Sequence, residues 1–156
     1  MDGVNIRRAR WDDADAASAI MVDARHASVP AIPTPVHSDD QIRLWFRQVV
    51  LAQCDVWVAV HGAHIRGVMV LTTGWIEHLY IAPEWTGRGI GARLVRQAQK
   101  VAVGPLELWT FASNTGAARF YERHGFVQVD RTDGDNEEGE PDIRYRWTPP
   151  QKRRDS

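Results

Sequence analysis

Three glycines alternate in Gly87-Arg88-Gly89-Ile90-Gly91-Ala92, between a run that reads as a strand and one that reads as a helix. No other feature constrains the fold as much. Glycine has no Cβ, takes φ > 0 freely and lets a backbone approach a ligand closely. N–H groups gathered at a helix start meet the positive end of the helix dipole, which suits a phosphate or pyrophosphate. A tight turn packing a helix on a sheet accounts for the same glycines, so the motif alone leaves both readings open. A nucleotide P-loop is excluded, because Ala92-Arg93 follows Gly91 where Lys-Ser/Thr is needed. A dinucleotide fingerprint is the closer decoy: Gly87, Gly89 and Ala92 match G-x-G-x-x-A, and Glu107 lies 20 residues after Gly87. Residues 83–86 separate the strand from the glycines, and the upstream strands form a hairpin rather than βα units. Both points weigh against a dinucleotide-dependent oxidoreductase.

The chain has 156 residues, which fits one domain, here residues 1–148, with a polar tail at 149–156. Apolar residues at 44% and charged residues at 25% exclude a disordered chain, a collagen and a disulfide scaffold. The net charge of −1 argues against a nucleic-acid partner. No apolar run approaches a membrane span, and residues 1–11 lack the apolar core of a signal peptide, so no membrane association is expected. The single Cys54 builds neither an intramolecular disulfide nor a multi-cysteine metal site. No metal is expected, and a cytoplasmic setting fits best. Seven tryptophans read as core and interface packing.

Periodicity predicts a strand at 4–10 and a helix from Asp12 or Asp13 to about Arg25, then a Pro-rich irregular loop at 26–37. Ser38-Asp39-Asp40-Gln41 has the form of a capping box. It opens a helix over 39–50 with Ile42, Trp45, Phe46 and Val49 on one face. Strands follow at 56–60, 65–72 and 75–81, the first two as a hairpin. A helix spans 89–101, a strand 106–111 and a short helix 114–124, stopped by Gly125. Runs 126–131 and 143–147 form a last strand pair. The expected class is α/β with a mixed (α+β) sheet of about seven mostly antiparallel strands and about four helices.

Residues 79–94, LYIAPEWTGRGIGARL, and residues 114–126, NTGAARFYERHGF, together resemble the GCN5-related N-acetyltransferases. In that family a Q/R-x-x-G-x-G/A loop cradles the coenzyme A pyrophosphate. A block with Asn, a helical Tyr and Gly-Phe follows one strand later. Both blocks occur here, in order, over about 50 residues, and the element order extends the likeness to most of the chain. Thr86 stands where the family has Gln or Arg, which removes a side-chain contact but not the backbone cradle. The resemblance implies acetyl-CoA as co-substrate. It places pyrophosphate contacts on Gly87, Arg88, Gly89, Ile90, Gly91 and Ala92. Arg88 or Arg93 is available to phosphate, or each lies on a solvated helix face.

Acetyl transfer to an amine needs a base, a stabilised oxyanion and an acid for the leaving thiolate. The resemblance sets Tyr121 against the coenzyme sulfur as the acid. A phenol pKa near 10 lies above a thiol pKa of about 8.5, so a neutral Tyr is available. Packing beside Phe120 is the other reading of Tyr121. Asn114 resembles the coenzyme-contacting Asn and equally suits a helix N-cap. The resemblance also implies that Leu79-Tyr80-Ile81 splays from its neighbouring strand, freeing backbone groups for the thioester and the pantetheine arm. Glu77, by parity with Leu79, and His78, by its intrinsic pKa, compete as base. A water chain is the third option.

The implied reaction is direct acetyl transfer through a tetrahedral intermediate to a primary amine of a small molecule or protein. Seven acidic residues between Asp130 and Asp142, set against Arg131, suggest a cationic acceptor or a plain solvated hairpin. An inactive acyl-CoA-binding module of the same fold is the main alternative; the intact glycines with Tyr121 and Glu77 argue against it. A monomer and a homodimer are both compatible with the sequence.

Overall fold

Strands that are apolar at every position need cover on both faces, and this chain supplies it with helices on each side of one sheet. The computed structural model describes residues 3–27, 38–134 and 139–150. The elements are β1 (Val4–Arg8), α1 (Ala14–Ala27), α2 (Asp39–Trp45), β2 (Asp55–His61), β3 (His64–Thr72) and β4 (Trp75–Ile81). They continue as α3 (Ile90–Val101), β5 (Leu106–Phe111), α4 (Thr115–Arg123), β6 (Val127–Thr132) and β7 (Asp142–Trp147). The sheet order is β1-β2-β3-β4-β5-β7-β6. Among the described residues only β4 and β5 pair in parallel, joined by the α3 crossover. The antiparallel run β1 to β4 is incompatible with the repeated βα units of a dinucleotide fold. The mixed sheet with four helices is the expected class.

Alternation along β2 and β3 divides two cores. Val56, Val58, Val68 and Val70 face Ala17, Met21, Ile42, Phe46 and Val50 of the N-terminal helical layer. Trp57, Ala59, Met69 and Leu71 face Ile90, Leu94, Val95 and Ala98 of α3. Gly67 shares the second face. A Cβ there would lie 3.0 Å from Ile90 Cγ2 and 3.1 Å from Leu94 Cδ1, so the missing side chain lets α3 sit directly on β3.

Several local expectations shift. Asp13 does not open α1. Its carboxylate accepts from the Arg10 N–H at 2.6 Å and from Arg7 at 2.7 Å, closing a 3-10 turn at Trp11–Asp13 before the helix. The Ser38–Gln41 capping box forms as read. The helix it opens then passes through a π-helical stretch, Phe46–Val50, in which the Leu51 N–H donates to the Phe46 carbonyl. The extra residue per turn rotates the face. Val50 is buried, while Trp45 and Val49 turn outward. Among the tryptophans only Trp57 joins the core; Trp11, Trp45 and Trp109 are largely exposed. The Pro-rich residues 28–37, the acidic Asp135, Glu137 and Glu138, and residues 151–156 of the tail lie outside the described residues.

Gly67→Val places two methyl groups against Ile90 and Leu94. Overpacking of this kind costs about 1–3 kcal/mol, and urea unfolding should show the midpoint lowered with an unchanged slope.

Candidate active site

β4 and β5 are joined at one register pair, Trp75 with Glu107, and the Glu107 N–H donates to the Gly74 carbonyl at 2.8 Å. Beyond it the strands part. β4 stays paired with β3 as far as Ile81, and β5 stays paired with β7 as far as Phe111. The splay implied at Leu79-Tyr80-Ile81 is therefore present, on the β5 side. Two cavities open there. The larger, about 850 Å³, runs between the glycine turn and α4. The smaller, about 160 Å³, is walled by β4, β5 and the end of α1. Leu79, Tyr80, Asn114, Ala117 and Tyr121 line both.

The remaining predicted residues fall on one side or the other, except Arg88. Ile81, Gly87, Gly89, Ile90, Gly91 and Ala92 line the larger cavity; Glu77 and His78 line the smaller. Arg88 lines neither. Its guanidinium lies over the Trp85 ring at 4.6 Å, and Arg93 donates to the Val4 carbonyl. Neither arginine is held toward the glycine turn. The Thr86 hydroxyl donates to the Pro83 carbonyl at 3.0 Å, which ties it into the preceding 3-10 turn.

The three glycines do different things. Gly87 and Gly89 sit at φ +75° and +84°, and nothing lies within 4 Å of where a Cβ would stand. That open space is a cradle a side chain would fill. Gly91 has ordinary backbone angles, and a Cβ there would meet Phe120 Cζ at 3.3 Å. It is a close-packing glycine between α3 and α4. The first N–H groups of a helix lack intrahelical acceptors, and no side chain caps α3. An uncapped helix start beside an open glycine cradle fits a pyrophosphate.

Tyr121 is packed edge-on against Phe120 at 5.1 Å and Phe126 at 5.5 Å. Burial, with Tyr80 nearby, pushes its phenol well above the usual range, so it holds its proton. The Asn114 side-chain oxygen accepts from the Ala117 N–H at 3.2 Å, so Asn114 is the N-cap of α4 as well as a wall of both cavities.

Regular alternation would aim only one of Glu77 and His78 at the cleft. Instead Val70 pairs with His78 and Leu71 with Ile76, leaving Glu77 as an extra residue. This bulge re-aims the strand and lets both side chains reach the smaller cavity. Glu77 is exposed and accepts from the Thr72 hydroxyl at 2.7 Å. His78 lies edge-on to Trp45 at 5.4 Å and stacks on Tyr80 at 6.0 Å. Burial first, and the Arg25 charge second, push its pKa down to about 4. Arg25, Trp45 and Trp109 were missed by sequence reasoning. No motif marks them; the tertiary fold brings Arg25 and Trp109 to the smaller cavity and Trp45 against His78.

The unfolded chain takes a proton on His78 near pH 6.5, but the folded protein resists until about pH 4. Stability is therefore full above 6.5 and is lost as pH falls between the two, by up to about 3 kcal/mol. His78→Gln should lose less stability across that window, as thermal melts from pH 7 to 4 would report.

The sequence pattern described as an acetyltransferase (GNAT) domain matches residues 52–128. The peptidyl-lysine N-acetyltransferase YjaB of Salmonella typhimurium is 31% identical over 140 residues, covering 85% of this chain and 90% of that protein. The solution structure of apo-form YjaB from Escherichia coli superposes with a TM-score of 0.71 at 26% identity, over 92% of this chain and 97% of that one. YncA of Salmonella typhimurium, a putative acetyltransferase solved with its cofactor acetyl-CoA, shares the fold with a TM-score of 0.74 at 15% identity, over 98% of both chains. Sequence identity across most of the chain and the parted strands at its centre agree: this is an acetyltransferase, and it belongs to the GCN5-related N-acetyltransferase family.

Proposed function

We propose that the chain transfers an acetyl group directly from acetyl-CoA to a primary amine, with the donor in the larger cavity and the acceptor in the smaller. The observation that carries this reading is the shared wall. Leu79, Tyr80, Asn114, Ala117 and Tyr121 border both cavities, so two ligands can meet there without leaving the protein. Relatives point the same way: YncA was solved with acetyl-CoA, and YjaB is named for acetylating peptidyl-lysine. A cytoplasmic site of action goes with this reading.

Acetyl-CoA supplies the acetyl group already activated as a thioester. The chain's own part begins at the glycine turn. Backbone N–H groups of Gly87 to Ala92 hold the pyrophosphate, without help from Thr86 or Arg93. The β4 edge at Leu79-Tyr80-Ile81, left by β5, offers backbone groups to the pantetheine arm and to negative charge growing on the acyl oxygen. Tyr121 keeps its proton until a thiolate needs it. Burial holds the His78 imidazole near pKa 4, which leaves it unprotonated but a weak base at neutral pH; Glu77 on the bulge reaches the amine through water and takes its proton. Glu77 and Asp142 give the acceptor cavity an acidic side, which draws an ammonium.

Two variants separate binding from chemistry. Gly89→Glu puts a side chain and a negative charge into the cradle and should abolish acetyl-CoA binding in calorimetry. Tyr121→Phe should leave that binding within about twofold and lower kcat by about a hundredfold, the usual worth of a positioned acid. Thiol release measured over a panel of primary amines reads the second effect. Unchanged kcat in Tyr121→Phe, with chemistry rate-limiting, would make Tyr121 a packing residue.

A further inference from the structure

The smaller cavity is lined by a cation for which the described residues offer no carboxylate partner. Arg25, in the last turn of α1, lines it together with Glu77, His78, Trp109 and Asp142. Its Nε is buried and makes no hydrogen bond. Among the described residues no carboxylate pairs with its guanidinium, although Arg7, Arg8, Arg47, Arg144 and Arg146 all have such partners. The two carboxylates in the cavity already accept from hydroxyls, Glu77 from Thr72 and Asp142 from Thr132. Arg25 is half-buried; a buried Nε without an acceptor is costly, and a ligand anion would relieve that cost.

We propose that Arg25 binds the carboxylate of the acceptor, so that the acceptor is a free amino acid. This rests on the acetyl-transfer reading above and names its substrate class. The planar guanidinium fork matches a carboxylate with two parallel hydrogen bonds. One arginine facing two acidic side chains suits a zwitterion better than a dianion such as phosphate. The carboxylate goes to Arg25, while the ammonium faces the acidic side with neutral His78 beside it. Size agrees. A cavity of about 160 Å³ is close to one of roughly 150 Å³ that takes benzene, and so admits a small amino acid. A lysine of a folded protein would enter with an ammonium only and leave Arg25 unanswered.

The test uses the full chain, acetyl-CoA and thiol release. Acceptors are the free L-amino acids, their carboxamides, and a lysine peptide with blocked termini. The best free amino acid should exceed its carboxamide in kcat/KM by about tenfold or more, the worth of a charge-assisted pair. Arg25→Gln should bring the acid down to the level of the amide. Arg25→Lys, which keeps the charge but not the fork, should fall between. Acetyl-CoA affinity, measured by calorimetry, should be unchanged in both variants, which also verifies folding. The proposal is overturned by amides reacting as well as acids, by a preference that survives in Arg25→Gln, or by turnover of the blocked peptide alone. It is equally overturned if acetyl-CoA binds and no free amino acid is acetylated. Absence of acetyl-CoA binding to the unmutated chain would instead bring down the transfer reading itself, and the proposal with it.

Discussion

One backbone pair, Trp75 with Glu107, holds the two halves of the sheet together at the point where they begin to diverge. Everything that gives this protein a site depends on pairing stopping there. β-strands left unpaired inside a protein expose N–H and C=O groups that must find partners. In most folds that is a defect to be covered. Here the unpaired edges of β4 and β5 face cavities. Glu107 is fixed at the apex by Arg146 at 2.8 Å and Arg144 at 3.6 Å, both reaching from β7. These ion pairs tie β5 to β7 beside the point where the strands part.

The helices set the limits of the opening. α3 is drawn onto β3 by the vacancy at Gly67 and onto α4 by the one at Gly91. α4 in turn carries Tyr121 and Asn114 to the seam between the cavities. Packing and chemistry are hard to separate in such an arrangement. Phe120, which fills the space beside Gly91, is the immediate neighbour of Tyr121 and holds its ring edge-on. A residue whose acidity depends on burial needs that packing as much as it needs its hydroxyl.

Much of this was legible in the chain itself. Strands at 75–81 and 106–111 are observed with the boundaries read from the sequence, because glycine and proline punctuate them sharply. The glycine turn and the Asn-Tyr-Gly-Phe block were enough to bring ten backbone and side-chain positions to one cavity. What escaped has a common physical cause: features that break a period while keeping the same residue types. The bulge at Glu77 undoes strict alternation, so a choice between Glu77 and His78 based on parity had no footing. The π stretch at Phe46–Val50 exchanges Val49 for Val50 at the core. Arg25 reads as an ordinary basic residue at a helix C-terminus, where it suits the dipole. Only the tertiary fold shows that it ends in a cavity.

The parted strands have a consequence for the thermodynamics of ligand capture. Because the opening is set by where sheet pairing ends, it exists before any ligand arrives. Two of its walls are strands fixed to β3 and β7 along their outer edges. Little conformational entropy remains to be lost there when a ligand enters. Binding to the seam should therefore resemble insertion into a rigid slot, with affinity set by desolvation and polar matching rather than by the cost of ordering the protein.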